Sequence, residues 1–158
     1  MAYDRAIIYV QATSAEQSAY ANTDRLKTVG NTVYLSFPMK YVAKNGLHIN
    51  PNVREEIKAY RDDNTRNLTR VTASGTKTPI SIDMLGGLNN AQKNEILHWF
   101  TSHETDALQR KINLLYYDLD TDTYGTGTFY RADTEYTIIS TTANDIIYDA
   151  FTYDLVEY

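Results

Sequence analysis

Hydrophobic and polar positions alternate most clearly over residues 31–37 (NTVYLSF), where Val33, Leu35 and Phe37 fall on one side and Thr32, Tyr34 and Ser36 on the other. A period of two puts one face in a core, so this segment reads as a strand. Residues 78–84 (TPISIDM) repeat the pattern, with Ile80, Ile82 and Met84 opposed to Ser81 and Asp83. Pro79 cannot donate to a ladder, so this strand begins there or lies at an edge. The short β-branched run at 6–10 (AIIYV) predicts another strand, and the polar stretch 11–30 shows no period and reads as a loop or arm.

Residues 40–49 read as a hairpin, because Asn45-Gly46 supplies the positive backbone angles of a tight two-residue turn. From 50 to 77 the chain is polar and dense in charge, with Leu68 and Val71 among its few large aliphatic residues, which predicts a long polar loop. Gly86-Gly87 ends the strand before it, and Asn89 followed by Gln92 makes a weak capping box for a helix over about 90–102. Ile96, Leu97 and Phe100, with Leu88 at its entry, give that helix one apolar side to lay on a sheet. Strands are expected over 111–117, 126–131, 135–141 and 150–157, the first two joined as a hairpin across 118–125. Strands, one helix, then strands again, without βαβ alternation, predict a mainly β (α+β) fold: an antiparallel sandwich or barrel with one flanking helix.

A chain of 158 residues is the size of one domain and buries roughly 70% of its unfolded surface, enough for one core. Hydrophobic residues at 42% and charged residues at 22% match an ordered globular chain. The formal net charge of −5 lacks the basic footprint of a protein that grips phosphate backbones, although an acidic wall is compatible with DNA sliding past it. With no cysteine there is no disulfide, thiolate metal site or thiol nucleophile. The run at 6–10 is too short for a signal sequence and no stretch approaches membrane-spanning length, so the expectation is a soluble, cytosolically made protein with no membrane partner. Fourteen tyrosines stand against four phenylalanines and one tryptophan, which suits half-buried strands and, less often, interfaces.

Candidate chemistry is thin. Asp118, Asp120 and Asp122 open like a calcium loop, but Thr123 stands where glycine is needed and Phe129 where a bidentate glutamate should close the shell, so a solvated hairpin tip is the expectation. His98 and His103 are five apart and cannot reach one metal from a helix, and His48 is distant in sequence, so no metal site is expected. No serine sits in a glycine-flanked elbow, and Glu55-Glu56 and Asp62-Asp63 are neighbours on a charged loop. Gly86-Gly87 lacks the lysine and spacing of a phosphate loop. No catalytic residue and no cofactor are expected. Arg54, Lys58, Arg61, Arg66, Arg70 and Lys77, interleaved with acids, are instead the candidate partner-binding residues, since a mixed-sign arm can pair across a subunit boundary.

Five segments, RDDNTRNLTR (61–70), TPISIDMLGGLNNAQKNEILHWF (78–100), INLLYYD (112–118), GTFYRAD (127–133) and FTYDLVEY (151–158), resemble small tail proteins of siphophages of the tail-tube or distal-adaptor type. The resemblance covers about residues 40–158, with 1–39 as an N-terminal extension, or a strand plus arm, of a single domain. It implies a virion component, made in the host cytoplasm, with a tail-tube-like sandwich or barrel. Such subunits stack in rings, often sixfold, against copies of themselves and neighbouring tail proteins, with DNA only passing through the lumen. A carbohydrate- or receptor-binding module at the tail tip, with tyrosines as stacking platforms, is the alternative. An enzyme of unfamiliar type is a third.

Overall fold

The computed structural model describes residues 3–72 and 74–158. Positions 1 and 2 of the expected N-terminal extension and position 73 of the expected long loop therefore lie outside the described residues. The elements in chain order are β1 (Ile8–Gln11), α1 (Ser14–Ala19), β2 (Leu26–Val29), β3 (Thr32–Ser36), a 3-10 turn (Met39–Tyr41) and β4 (Val42–Ile49). Next come β5 (Glu56–Arg61), β6 (Leu68–Thr72), β7 (Ile80–Met84), β8 (Leu88–Asn89), α2 (Asn90–Thr101) and β9 (Glu104–Asp106). The chain closes with β10 (Lys111–Asp118), β11 (Thr123–Arg131), β12 (Ile138–Thr141), β13 (Ile146–Tyr148) and β14 (Thr152–Glu157). The fold is mainly β, and every strand pairing is antiparallel.

One large sheet runs β2-β3-β1-β10-β11-β14-β7-β4, with β9 added on β10. Two small sheets stand apart from it, β12-β13-β8 and the pair β5-β6. The large sheet has a main core on one face. There Ile8, Val10, Leu35, Phe37, Ile82, Ile112, Leu114 and Tyr153 meet Ile96, Trp99 and Phe100 of α2. The helix is anchored by ring packing, Phe37 to Trp99 at 4.9 Å and Phe100 to Tyr153 at 5.1 Å, and the buried Trp99 indole donates to the Ser36 carbonyl at 3.1 Å. Trp99 takes the core position that Leu97 was expected to hold; Leu97 is half-buried.

On the opposite face a second cluster of Ala6, Tyr9 and Leu115 packs with Val29, Tyr34 and Tyr124. β1 and β10 are therefore covered on both sides. That is the physical reason for uninterrupted apolar runs such as AIIYV and NLLYY, because a strand buried on both faces has no polar side to alternate with. β1 lies between β3 and β10, so a strand contributed by the first forty residues sits within the sheet.

Several local expectations are corrected. The stretch 11–30 carries α1 and β2 instead of a loop or arm. α1 has a full capping box, the Thr13 hydroxyl accepting from the Glu16 N–H and the Glu16 carboxylate from the Thr13 N–H. α1 is a second helix where one was expected, and it is tied to the end of α2 by the His103 ring nitrogen Nε2, 2.7 Å from Glu16 Oε1. Residues 40–49 are not a hairpin. They form the single strand β4, whose register against β7 slips between Val42 and Leu47, so Asn45, at φ +59°, serves a bulge. The loop over 50–77 holds the strand pair β5-β6. The hairpin expected over 111–131 extends further, because β10 and β11 pair without a break from Lys111–Tyr130 to Asp118–Thr123. β13, β8 and β9 are short strands that no period in the sequence announced.

A strap over residues 3–6 crosses the second cluster. The Asp4 N–H donates to the Tyr124 hydroxyl at 3.0 Å, and the Tyr9 hydroxyl donates to the Asp4 carbonyl at 2.6 Å. Hydrogen bonds from Arg5 and from Lys27, whose side chain is 4% exposed, hold the Asp4 carboxyl down at about 2. Burial drives the Tyr9 hydroxyl upward, so it stays protonated as a donor.

Two outcomes follow from this packing. A Cβ at Gly46 would stand 2.6 Å from the Asp83 carbonyl oxygen and 2.8 Å from that of Ala43. Gly46→Ala should therefore lower unfolding stability in urea by about 1–3 kcal/mol, the usual cost of an overpacked site; an unchanged midpoint would contradict the bulge. Asp4 favours its ionised form when folded, so its contribution is complete above its unfolded value near 4 and disappears as pH falls toward about 2. Urea titrations of the native chain should show a larger acid loss than those of Asp4→Asn, which keeps only the loss due to the other lowered carboxyls; identical profiles would contradict the strap's ion pair.

Candidate interaction surfaces

Every residue from 53 to 71 is exposed. β5 and β6 pair only with each other, Arg61 opposite Leu68 and Lys58 opposite Val71, and at about 3.3 Å per residue the six-residue β5 reaches on the order of 20 Å. The pair is a hairpin arm, not a strand of the sheet. Its tip is set by Asp62, whose carboxylate accepts from the Asn64 and Thr65 N–H groups at 2.8 Å each and is held below the usual carboxylate range by them. Arg66 completes the turn at φ +65°, with its N–H on the Asp62 carbonyl. Its root is the isolated bridge between Val53 and Lys77.

The arm displays apolar side chains that no core shelters: Ile57 is 67% exposed, Tyr60 50%, Leu68 53% and Val71 44%. By strand alternation Lys58, Tyr60, Thr69 and Val71 share one face, and Ala59, Arg61, Leu68 and Arg70 the other. Each face thus mixes apolar surface with positive charge.

The six candidate partner-binding residues fall in two places. Lys58, Arg61, Arg66 and Arg70 lie on the arm proper, and Arg54 and Lys77 at its root. Arg70 pairs with Glu56 at 2.7 Å, Lys58 lies 5.0 Å from the Tyr60 ring centre and Arg61 donates to the Arg66 carbonyl at 2.9 Å. Arg54 donates to the Ser74 carbonyl at 2.9 Å, and Lys77 to the carbonyl of Tyr158, fastening the root to the end of the chain.

A second exposed apolar strand lies elsewhere. β12 is the outer strand of its small sheet, all four of its residues are exposed, and Ile138 and Ile139 are 51% and 58% exposed. Residues 136–144 (YTIISTTAN) carry no charge and no proline, the devices that ordinarily blunt an open edge. A strand was expected over 135–141, but its exposure was not.

The carboxylates and histidines do not gather into one site among the described residues. Asn52 donates its amide to both oxygens of Asp118, at 3.1 and 3.2 Å, and to Asp120 at 3.0 Å, so a neutral side chain fills the angle between the carboxylates. Burial pushes Asp118 upward, but the Asn52 amide and the Asp120 N–H outweigh it and leave the carboxyl lowered. Among the described residues no cluster of histidines and carboxylates is arranged to hold a metal. His98 is exposed on α2, His103 is bonded to the Trp99 carbonyl and Glu16, and His48 stands 3.0 Å from Asp83.

Sequence reasoning missed the company His48 keeps. It is the register neighbour of Ser81, and Asp83 also accepts from the Thr152 hydroxyl at 2.6 Å, which lowers its carboxyl below the ordinary range. The Ser81 hydroxyl donates to the Asp154 carboxylate and not to the His48 ring. His48, Ser81 and Asp154 border an open groove of about 780 Å³ whose apolar lining includes Leu47, Ile49, Pro79, Leu119, Leu155 and Val156. The tyrosines are largely spent on internal ring contacts, Tyr9 with Tyr124, Tyr117 with Tyr124 and Tyr136 with Phe151 among them. No helix among the described residues is long and apolar enough to cross a membrane.

Residues 26–158 match the model of a family of unknown function, DUF6711, and the chain belongs to that family. The match runs from β2 to β14 and leaves β1 and α1 before it. No curated protein and no solved structure matches the chain.

Proposed function

We propose that this member of the DUF6711 family is a non-catalytic structural subunit of a bacteriophage tail, part of a tube, terminator or distal adaptor ring that assembles through subunit contacts around the DNA channel. The observation that carries the assembly half of the reading is the hairpin arm. A two-stranded ribbon with no core of its own is at best marginal in water, and one that also shows Ile57, Tyr60, Leu68 and Val71 to solvent gains most by being covered. The tail half rests on the resemblance of the five segments to siphophage tail proteins.

In this reading the protein acts through shape. The large sheet is a rigid body, the arm reaches a neighbour, and a heterologous contact of that kind closes into a ring when the rotation between copies allows it. Neighbouring tail proteins take the ring's two ends, and the net charge of −5 keeps DNA a passenger. The contact reads as a mixed one in which Lys58, Arg61, Arg66 and Arg70 set orientation and rate while the aliphatic side chains supply most of the affinity.

Light scattering on the purified chain should give a mass several times 18.0 kDa, with closed rings in negative stain. Replacing residues 55–72 by a short glycine-serine turn should leave the far-ultraviolet spectrum of the large sheet and reduce the particle to a single protomer. A chain that stays monomeric at every concentration and never accompanies virions would overturn the proposal.

A further inference from the structure

The arm and the edge strand β12 are two open, partly apolar pieces of sheet on one chain, and their charges are opposed. Residues 54–77 hold six Lys/Arg against four Asp/Glu, a net of +2, which leaves nine against sixteen, or −7, for the rest. The negative charge is not evenly spread. After Arg131 there is no further Lys or Arg, while residues 132–158 contain six acids, Glu135 and Asp149 flanking the β12-β13 pair. The Asp149 N–H bonds the Thr137 carbonyl, which places that acid beside the start of β12.

We propose that β6 of one copy adds to the open edge of β12 in a second copy, so that β5-β6 and β12-β13-β8 become one intermolecular five-stranded sheet. This rests on the assembly reading above and names the surfaces it uses. β6 is the better edge of the arm. β5 carries Glu56, Lys58 and Arg61, charges that resist strand addition, whereas β6 (LTRVT) has the single cation Arg70, already paired with Glu56. Both partners offer unused backbone donors and acceptors, and joining them satisfies both rows at once. Leu68 and Val71 then lie alongside Ile138 and Ile139, and the arm's remaining cations face Glu135 and Asp149. The two surfaces differ, so each copy uses its arm on one neighbour and its β12 on another, and the contact propagates.

The chain has no cysteine of its own, which makes the geometry directly readable. Single cysteines placed in turn at positions 68 to 72 are mixed with the Ile139→Cys variant and oxidised. At least one pairing should give a covalent dimer of twice 18.0 kDa, absent from each variant alone, and mixing with Asn94→Cys on the exposed side of α2 should give none. As a second measurement, Glu135→Lys with Asp149→Lys should raise the concentration at which assembly is half complete by tenfold or more, and Lys58→Glu with Arg61→Glu in the same chain should recover most of that loss. If the native chain assembles but no β6 position cross-links to position 139 in preference to position 94, or if charge reversal leaves assembly unchanged, the strand-addition model is overturned and the ring reading stands. If the native chain is monomeric and nothing cross-links, both fall.

Discussion

Backbone hydrogen bonding governs this protein more than any single side chain does. Each strand must find a partner for its N–H and C=O groups, and the large sheet meets that demand by ordering strands from distant parts of the sequence, with β1 from the N-terminus between β3 and β10 and β14 from the C-terminus between β11 and β7. The core of Trp99, Phe100, Phe37 and Tyr153 rests on that order, because α2 can bury its aromatic residues only where the sheet presents a continuous apolar face. Among the edges left open, β6 and β12 expose aliphatic side chains beside their outer backbone. Those two places are where a partner gains most.

The same constraint separates architecture from reactivity. Carboxylates and histidines that could have served chemistry are taken up in local contacts: Asp118 and Asp120 by the Asn52 amide, Glu16 by His103 and the α1 cap, and Asp83 by Thr152 and His48. Burial pushes Glu16 upward, yet the Thr13 N–H and the His103 ring outweigh it and keep the carboxyl lowered, which suits a charge holding two helices together. Their geometry is that of clamps.

How far the fold was legible in the sequence depended on whether a residue's role left a period behind. Residues 78–84 bury one face only, and 31–37 still alternate in polarity although Ser36 is buried and Tyr34 packs on the second cluster, so both patterns predicted strands that the structure contains. The Asn89–Gln92 capping box marked the start of α2 to the residue. Asn45-Gly46 was misleading for a definite reason: a positive φ suits a bulge as well as a turn, and only the partner strand β7 distinguishes them. α1 escaped notice because six residues with none buried leave no apolar stripe, although Thr13 and Glu16 stood at capping-box spacing. The arm hid for the same reason, since with neither face buried there is no two-residue period to detect, and its register comes from cross-strand pairing alone. The basic residues in 54–77 were visible; their display on a ribbon was not.

In the proposed assembly the arm completes its sheet only in the presence of another copy. Amide hydrogen exchange of residues 56–72 and 138–141, followed from dilute to assembled protein with the large sheet as internal reference, tests this directly. β6 and β12 should exchange quickly when dilute and become protected together on assembly, while Ile82 and Leu114 stay protected throughout. Protection of β5 and β6 in the dilute protomer equal to that of the large sheet, or assembly that leaves both edges unprotected, would contradict the proposal.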